Sequence, residues 1–178
     1  HIVSGDISGC SPCQTRGIFV SGAPVAAERT IIGANLIEGG ASSATSLGIE
    51  VNSGGTADID GNEIVGGPGG WTRCISLTGT AGEVSITNND LHAGSCNGNN
   101  TTFAIFAGQG IAPVIDRNRI NADPAKLGTC PGFTGSWWTG GIESEGSQAV
   151  ITNNIVFGVP SPRSTAILLA DCEGSCQL

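Results

Sequence analysis

A short phrase recurs five times along this chain: an aliphatic residue, two others, Asn, one other, then an aliphatic residue. It reads Ile32-Gly-Ala-Asn35-Leu-Ile37, Ile59-Asp-Gly-Asn62-Glu-Ile64 and Ile86-Thr-Asn-Asn89-Asp-Leu91. It returns as Ile115-Asp-Arg-Asn118-Arg-Ile120 and Ile151-Thr-Asn-Asn154-Ile-Val156. Successive Asn positions lie 27, 27, 29 and 36 residues apart. Self-similarity at such a period specifies a stack of units, none of which buries its apolar side alone. Residues 1–178 therefore read as one solenoid domain, not as two separate cores.

A second kind of segment precedes each phrase. It reads Gly17-Ile-Phe-Val-Ser-Gly22, Gly48-Ile-Glu-Val-Asn-Ser53, Cys74-Ile-Ser-Leu-Thr-Gly79 and Phe103-Ala-Ile-Phe-Ala-Gly108. Gly141-Ile-Glu-Ser-Glu-Gly146 and Thr165-Ala-Ile-Leu-Leu-Ala170 continue it. These segments alternate with the period of two that marks a strand. The alternation places Ile18/Val20, Ile49/Val51, Ile75/Leu77 and Ala104/Phe106 inward, and Ser21, Glu50, Ser76 and Glu143 toward solvent. One coil then holds a first strand, a turn near Gly, a second strand ending in Ile, an Asn corner and a short third strand.

The Asn has a physical reason. A sharp corner takes the backbone through left-handed conformations, which Asn tolerates better than other non-Gly residues. An inward Asn can also bond the same Asn one coil away, at the strand spacing of about 4.8 Å. Asn35, Asn62, Asn89, Asn118 and Asn154 are thus expected to stack as an internal ladder, satisfying polar groups that are costly to bury alone.

Three short parallel strands per coil and a period in the high twenties resemble the right-handed parallel β-helix of the pectate-lyase-like type, over nearly the whole chain. The resemblance implies an all-β solenoid, here of about six coils. It also implies two chemistries to look for. Lyases use a basic residue beside a uronate carboxylate with Ca²⁺ on clustered acids; hydrolases use Asp residues as acid and base. Basic residues are sparse here: Arg16, Arg29, Arg73, Arg117, Arg119, Lys126 and Arg163. A paired Asp-Asp and a Gly-His-Gly are absent, and His1 and His92 are isolated. Glu143 and Glu145 share a strand face, with Glu50 in the column of Glu143, and Asp60 and Asp116 take equivalent outward positions two coils apart. A weak Ca²⁺ site or an acid pair competes there with a plain solvated acidic face. The expectation is a non-catalytic chain with no cofactor and no metal. Ice binding wants a uniform outward array, and Ser21, Glu50, Ser76, Ile105 and Glu143 are too mixed for one.

A net charge of −8 argues against nucleic acid and anionic membrane surfaces as partners. No apolar run approaches the roughly 18 residues needed to span a bilayer. The start at His1, without Met or a signal pattern, reads as a mature or excised segment. Seven cysteines point to an oxidising, extracytoplasmic setting, secreted or at the cell surface. Cys96 and Cys130 sit in consecutive loops on one side and are expected to pair. Cys10 with Cys13 and Cys172 with Cys176 are candidates for small local bridges, which leaves Cys74 as a buried thiol.

The loops after the third strands carry Trp71, Phe133, Trp137 and Trp138, together with overlapping sequons at Asn99 and Asn100. The aromatics form a small satellite core, a subunit contact or a sugar-stacking platform. At the start, Ile2-Val-Ser-Gly5-Asp-Ile7 matches the second-strand phrase with Gly5 in the Asn position, so the chain is expected to begin and end mid-coil. Exposed strand edges then favour end-to-end pairing of copies, a filament repeating at roughly 30 Å for six coils of about 4.8 Å. The sequence thus leads to a structural solenoid, with a polysaccharide-binding or polysaccharide-cleaving module on the Trp137/Trp138 side as the alternative.

Overall fold

The computed structural model describes residues 1–3, 13–22, 29–42, 44–79, 82–94, 101–121, 139–157 and 164–171. A two-residue strand, β1 (Ile2–Val3), precedes a series of three-strand turns. The first two turns are β2 (Gln14–Ser21), β3 (Thr30–Gly33) and β4 (Leu36–Glu38), then β5 (Thr45–Asn52), β6 (Ala57–Asp60) and β7 (Glu63–Val65). Next come β8 (Trp71–Thr78), β9 (Val84–Thr87) and β10 (Asp90–His92), then β11 (Thr102–Ala107), β12 (Val114–Asp116) and β13 (Arg119–Asn121). The last turn is β14 (Thr139–Glu145), β15 (Val150–Thr152) and β16 (Ile155–Phe157), followed by β17 (Ser164–Ala170).

Three parallel sheets result, and the described residues contain no helix. The first sheet stacks β2-β5-β8-β11-β14-β17, the second β3-β6-β9-β12-β15 and the third β1-β4-β7-β10-β13-β16. The fold is the expected all-β parallel solenoid, but with fewer than six coils. Five three-strand turns are present, because β1 and β17 each add one strand and not a whole coil.

Identical positions stack into columns. Ile49, Ile75, Ile105 and Ile142 line the first sheet inward, and Ile37, Ile64, Leu91 and Ile120 the third; all are fully buried. Each such side chain contributes about 2–3 kcal/mol relative to exposure. Of the expected inward pair Ala104/Phe106, Ala104 is buried in the core, but Phe106 pairs with Ser76 on the outer face, and Ile105 and Ala107, which pair with Ile75 and Leu77, take the inward positions. The segment had been aligned one residue early, and a one-residue slip exchanges the two faces of a strand. Ile105 likewise leaves the outward set.

The slip has a visible cause. Each long strand bends at a small residue, seen in Gly17, Gly48, Cys74, Ala104, Gly141 and Ala166, and two successive side chains there face inward. A Cβ added at Gly48 would lie 2.6 Å from Ile64 Cγ2, and one at Gly141 2.4 Å from Val156 Cγ1. The column must be small because it points at the third sheet.

Cys74 occupies this column, fully buried and free, with Sγ 3.1 Å from His92 O and 3.4 Å from Ile64 O. Burial pushes its thiol up to about 12. At pH 8 only about one molecule in ten thousand then carries a thiolate, the reactive form. Peptide mapping after iodoacetamide should find Cys74 unlabelled in the folded chain and labelled once guanidinium unfolds it.

Two further expectations change. The left-handed residue at each corner is not the ladder Asn but the one before it: Ala34, Gly61, Asn88, Arg117 and Asn153, with φ between 54° and 65°. The corner turns one residue earlier, which leaves the next side chain free to project along the stack. And β1 is a third strand, not a second: Ile2 pairs with Ile37. The phrase has two aliphatic positions, and Ile2 fills the later one.

Candidate functional site

Asn35, Asn62, Asn89, Asn118 and Asn154 stack at the corner between the second and third sheets. Each gives its Nδ2 to the next Asn Oδ1, at 3.2 Å for Asn35–Asn62 and 3.0 Å for the other three steps. The backbone N–H groups point to the same oxygens at 2.9–3.0 Å. Their second Nδ2 proton goes to carbonyls one coil back, such as Ile59 O for Asn89 at 2.9 Å. From Asn62 to Asn154 the amides are fully engaged with protein and do not face a ligand.

Outside the same corner, Asp60 and Asp116 act as staples between coils. Asp60 Oδ1 accepts from Thr87 Oγ1 at 2.6 Å and Asn88 Nδ2 at 2.7 Å. Asp116 Oδ1 accepts from Thr152 Oγ1 and Asn153 Nδ2, both at 2.8 Å. These bonds, the threonine first, hold both carboxyls below the usual aspartate value. Their stabilisation is present above the ordinary value and lost as pH falls through the lowered one. The double variant Asp60→Asn/Asp116→Asn should therefore show a flatter acid limb than wild type in a plot of Tm against pH below about 4.

A polar column that the sequence reading missed runs inside the first sheet. Thr15, Ser46, Thr72, Thr102 and Thr139 are buried, and Thr72 Oγ1 donates to Thr102 Oγ1 at 3.1 Å. Each lies three residues before an inward Ile, a regularity visible in the sequence once the strands are aligned on that Ile.

The outer face of the first sheet gathers a further set of charged groups. Glu50 and Ser76 do face outward, yet they are 6% and 1% exposed, so the expected solvated acidic face is covered in its middle. Arg16 Nε pairs with Glu50, whose other oxygen lies 3.4 Å from Asn52 Nδ2 and from Thr78 Oγ1. The Arg73 guanidinium lies 3.7 Å from the Phe106 ring centre and 5.7 Å from that of Trp71, and Nη1 donates to Ser76 Oγ at 3.2 Å. Burial draws Arg73 below its ordinary value, against the opposing pull of Glu143, Glu145 and Glu50.

Glu143, in the same column as Glu50 but three layers on, is half-buried, and its Oε2 has no hydrogen-bond partner. Burial pushes its carboxyl up; Arg73 opposes this and Glu145 adds to it. Relative to the unfolded chain, the group favours folding below the ordinary Glu value and loses that contribution as pH rises through the raised one. Glu143→Gln should be more stable than wild type near pH 7, with the gap closing toward pH 4. Thermal melts across that range check it.

Beside Glu143, the layer between Thr78 and Glu145 presents Gly108, which has no side chain. A cleft of about 340 Å³ opens there, walled by Thr78, Phe106, Gln109, Glu145 and Asp171. It offers carboxylates, an amide and a hydroxyl to a ligand rich in donors. Among the described residues no three His, Cys, Asp or Glu side chains gather to hold an ion. His1 pairs with Glu38 at 2.9 Å, and His92 lies 3.5 Å from Asp90.

Trp71 opens β8 and is 45% exposed, so it is a strand residue and not a loop residue. Phe133, Trp137 and Trp138 lie outside the described residues, as do Cys10, Cys96, Cys130, Cys172 and Cys176 with every expected disulfide pairing, and the sequons at Asn99 and Asn100. No helix among the described residues is long and apolar enough to cross a membrane. No protein-family model, no curated protein and no solved structure matches this chain.

Proposed function

We propose that the chain is a non-catalytic structural β-solenoid of the right-handed, pectate-lyase-like type, working outside the cytoplasm as a unit that stacks end to end. The observation that carries this reading is the contrast between inner and outer layers. Inward Ile and Leu side chains of the middle turns are fully buried, whereas Ile2, Ile18, Val156, Ile167 and Leu169 in the outermost described layers are only partly so. Among the described residues, those layers also end in strands paired on one side only, and such edges template further pairing. Along the stack, the carboxylates of Glu50, Asp60 and Asp116 are occupied by cross-coil bonds, which favours a load of structure over one of catalysis. The seven cysteines support an oxidising compartment.

Sedimentation velocity over a wide concentration range tests the reading. Mass growing with concentration, with linear particles in negative stain, supports it; a monomer throughout rejects it. A second reading rests on the cleft at Gly108. Its acceptors and the Phe106 ring suit a polyhydroxylated chain, which makes an extracellular polysaccharide the alternative partner. A glycan array decides it: binding that is lost in Glu145→Gln/Asp171→Asn moves the function to this cleft.

A further inference from the structure

The stacking reading leaves open which surfaces meet, and the outward columns answer it. On the first sheet one column runs Phe19, Glu50, Ser76, Phe106, Glu143, Leu168 from layer to layer. On the third sheet another runs Val3, Glu38, Val65, His92, Asn121, Phe157. Inner positions are mostly polar, and the Arg73 guanidinium lies 3.7 Å from the inner Phe106 ring, closer than Arg16 to Phe19 at 5.0 Å or Arg119 to Phe157 at 5.6 Å. The end positions are all apolar, and Phe19, Val3 and Phe157 are 52%, 59% and 46% exposed. Apolar side chains at both ends of columns that are otherwise mostly polar suit a partner that covers them.

We infer that a second copy of this chain docks head to tail, with its β2 pairing onto β17 and its β1 onto β16. This rests on the stacking reading and assigns its interface. In the joint, Ile18 and Val20 of one copy extend the columns of Ile167 and Leu169 of the other, and Ile2 extends that of Val156. Outside, Phe19 lands beside Leu168 and Val3 beside Phe157, so each exposed apolar residue covers another. Both pairings require the same offset of six layers, as the two six-stranded sheets show, and therefore form together. The second sheet has five strands and leaves a notch one strand wide at the joint among the described residues. The contact is heterologous and does not close on itself, so it propagates.

The test uses the full chain and a charge exchange. Phe19→Lys and Leu168→Glu each sit on the outside of an edge strand, at opposite ends of the molecule, and each should raise the concentration needed for assembly at least tenfold. Far-UV circular dichroism and the thermal midpoint of the monomer confirm that each variant folds. The double variant Phe19→Lys/Leu168→Glu places opposite charges across every joint and should recover most of the assembly. Within one molecule the two residues cannot meet, so recovery reports contact between copies. Wild-type assembly with single variants unaffected, or with no recovery in the double variant, overturns this joint and leaves the stacking reading standing. A wild-type monomer at every concentration removes both.

Discussion

Replacing Asn89 with Leu should lower the free energy of unfolding by about 4 kcal/mol, a large share of the stability of an ordinary domain. The volume is nearly kept, so the loss is polar. Asn89 is 1% exposed and uses its whole amide: it accepts from Asn62 N and Nδ2 at 2.9 and 3.0 Å and donates to Ile59 O and Asn118 Oδ1 at 2.9 and 3.0 Å. Without it, Asn62 N–H and Ile59 O lose these partners in a dry interior. Asn62 Nδ2 keeps other acceptors, at Ile32 O and Asp60 O, and Asn118 Oδ1 keeps the backbone N–H of position 89. One orphaned N–H, at about 1–3 kcal/mol, and three further lost bonds, at about 0.5–1.5 kcal/mol each, set the magnitude. The outer rung Asn35 is only half-buried, and Asn35→Leu should cost nearer 1 kcal/mol. Urea unfolding of both variants checks the gradient. Equal costs at the two rungs would mean that the ladder is not what holds this corner.

Gly67→Ala should cost about 3 kcal/mol, for the opposite reason: there is no room. A Cβ at Gly67 would lie 2.3 Å from Gly39 O and 2.5 Å from Gly40 O, both main-chain atoms of the coil before. One coil on, a Cβ at Gly94 would meet Gly67 O at 2.3 Å. The corner after β4, β7 and β10 is thus a stack of glycines whose backbones touch. Ser42 N donates to Pro68 O at 3.0 Å and Gly66 N to His92 O at 2.9 Å, tying this corner to its neighbours. Side chains can rotate away from an intruding methyl, but a hydrogen-bonded carbonyl cannot. Gly61→Asn is the contrast: its φ of 65° suits Asn and no atom lies within 4 Å of its added Cβ, so its Tm should barely move.

The ladder was legible in the sequence because it needs one residue type at one recurring position, and the aliphatic positions around Asn35 to Asn154 give the register. The glycine corner was not. Gly66 to Arg73 reads as a loose Gly-rich loop, since sequence shows only that glycine is there, and not that a carbonyl from another coil occupies the space its side chain would need. The left-handed φ was assigned to the wrong residue for a related reason. In Thr87-Asn88-Asn89 either Asn suits a left-handed corner, and only the direction of the side chain distinguishes the rung from the turn.

The outer face shows the same division. Period-two alternation identified Glu50 and Ser76 as outward, and outward they are. That they are buried depends on Arg16, Arg73 and neighbouring strands converging on them from other layers. Glu143 and Glu145 were visible as a pair, but the cleft beside them exists because Gly108, from another coil, falls between Thr78 and Glu145.

By itself, then, the sequence determined the parallel solenoid, its three strands per coil and the aliphatic and Asn columns of its recurring phrase, because a stacked repeat writes the same local physics many times over. The tertiary structure alone decided which sheet β1 joins, where the strands bend, which backbones touch at Gly39, Gly67 and Gly94, and which carboxylates have partners. Each of these depends on residues brought together from different coils, and the distance between coils across the stack is not written in any one repeat.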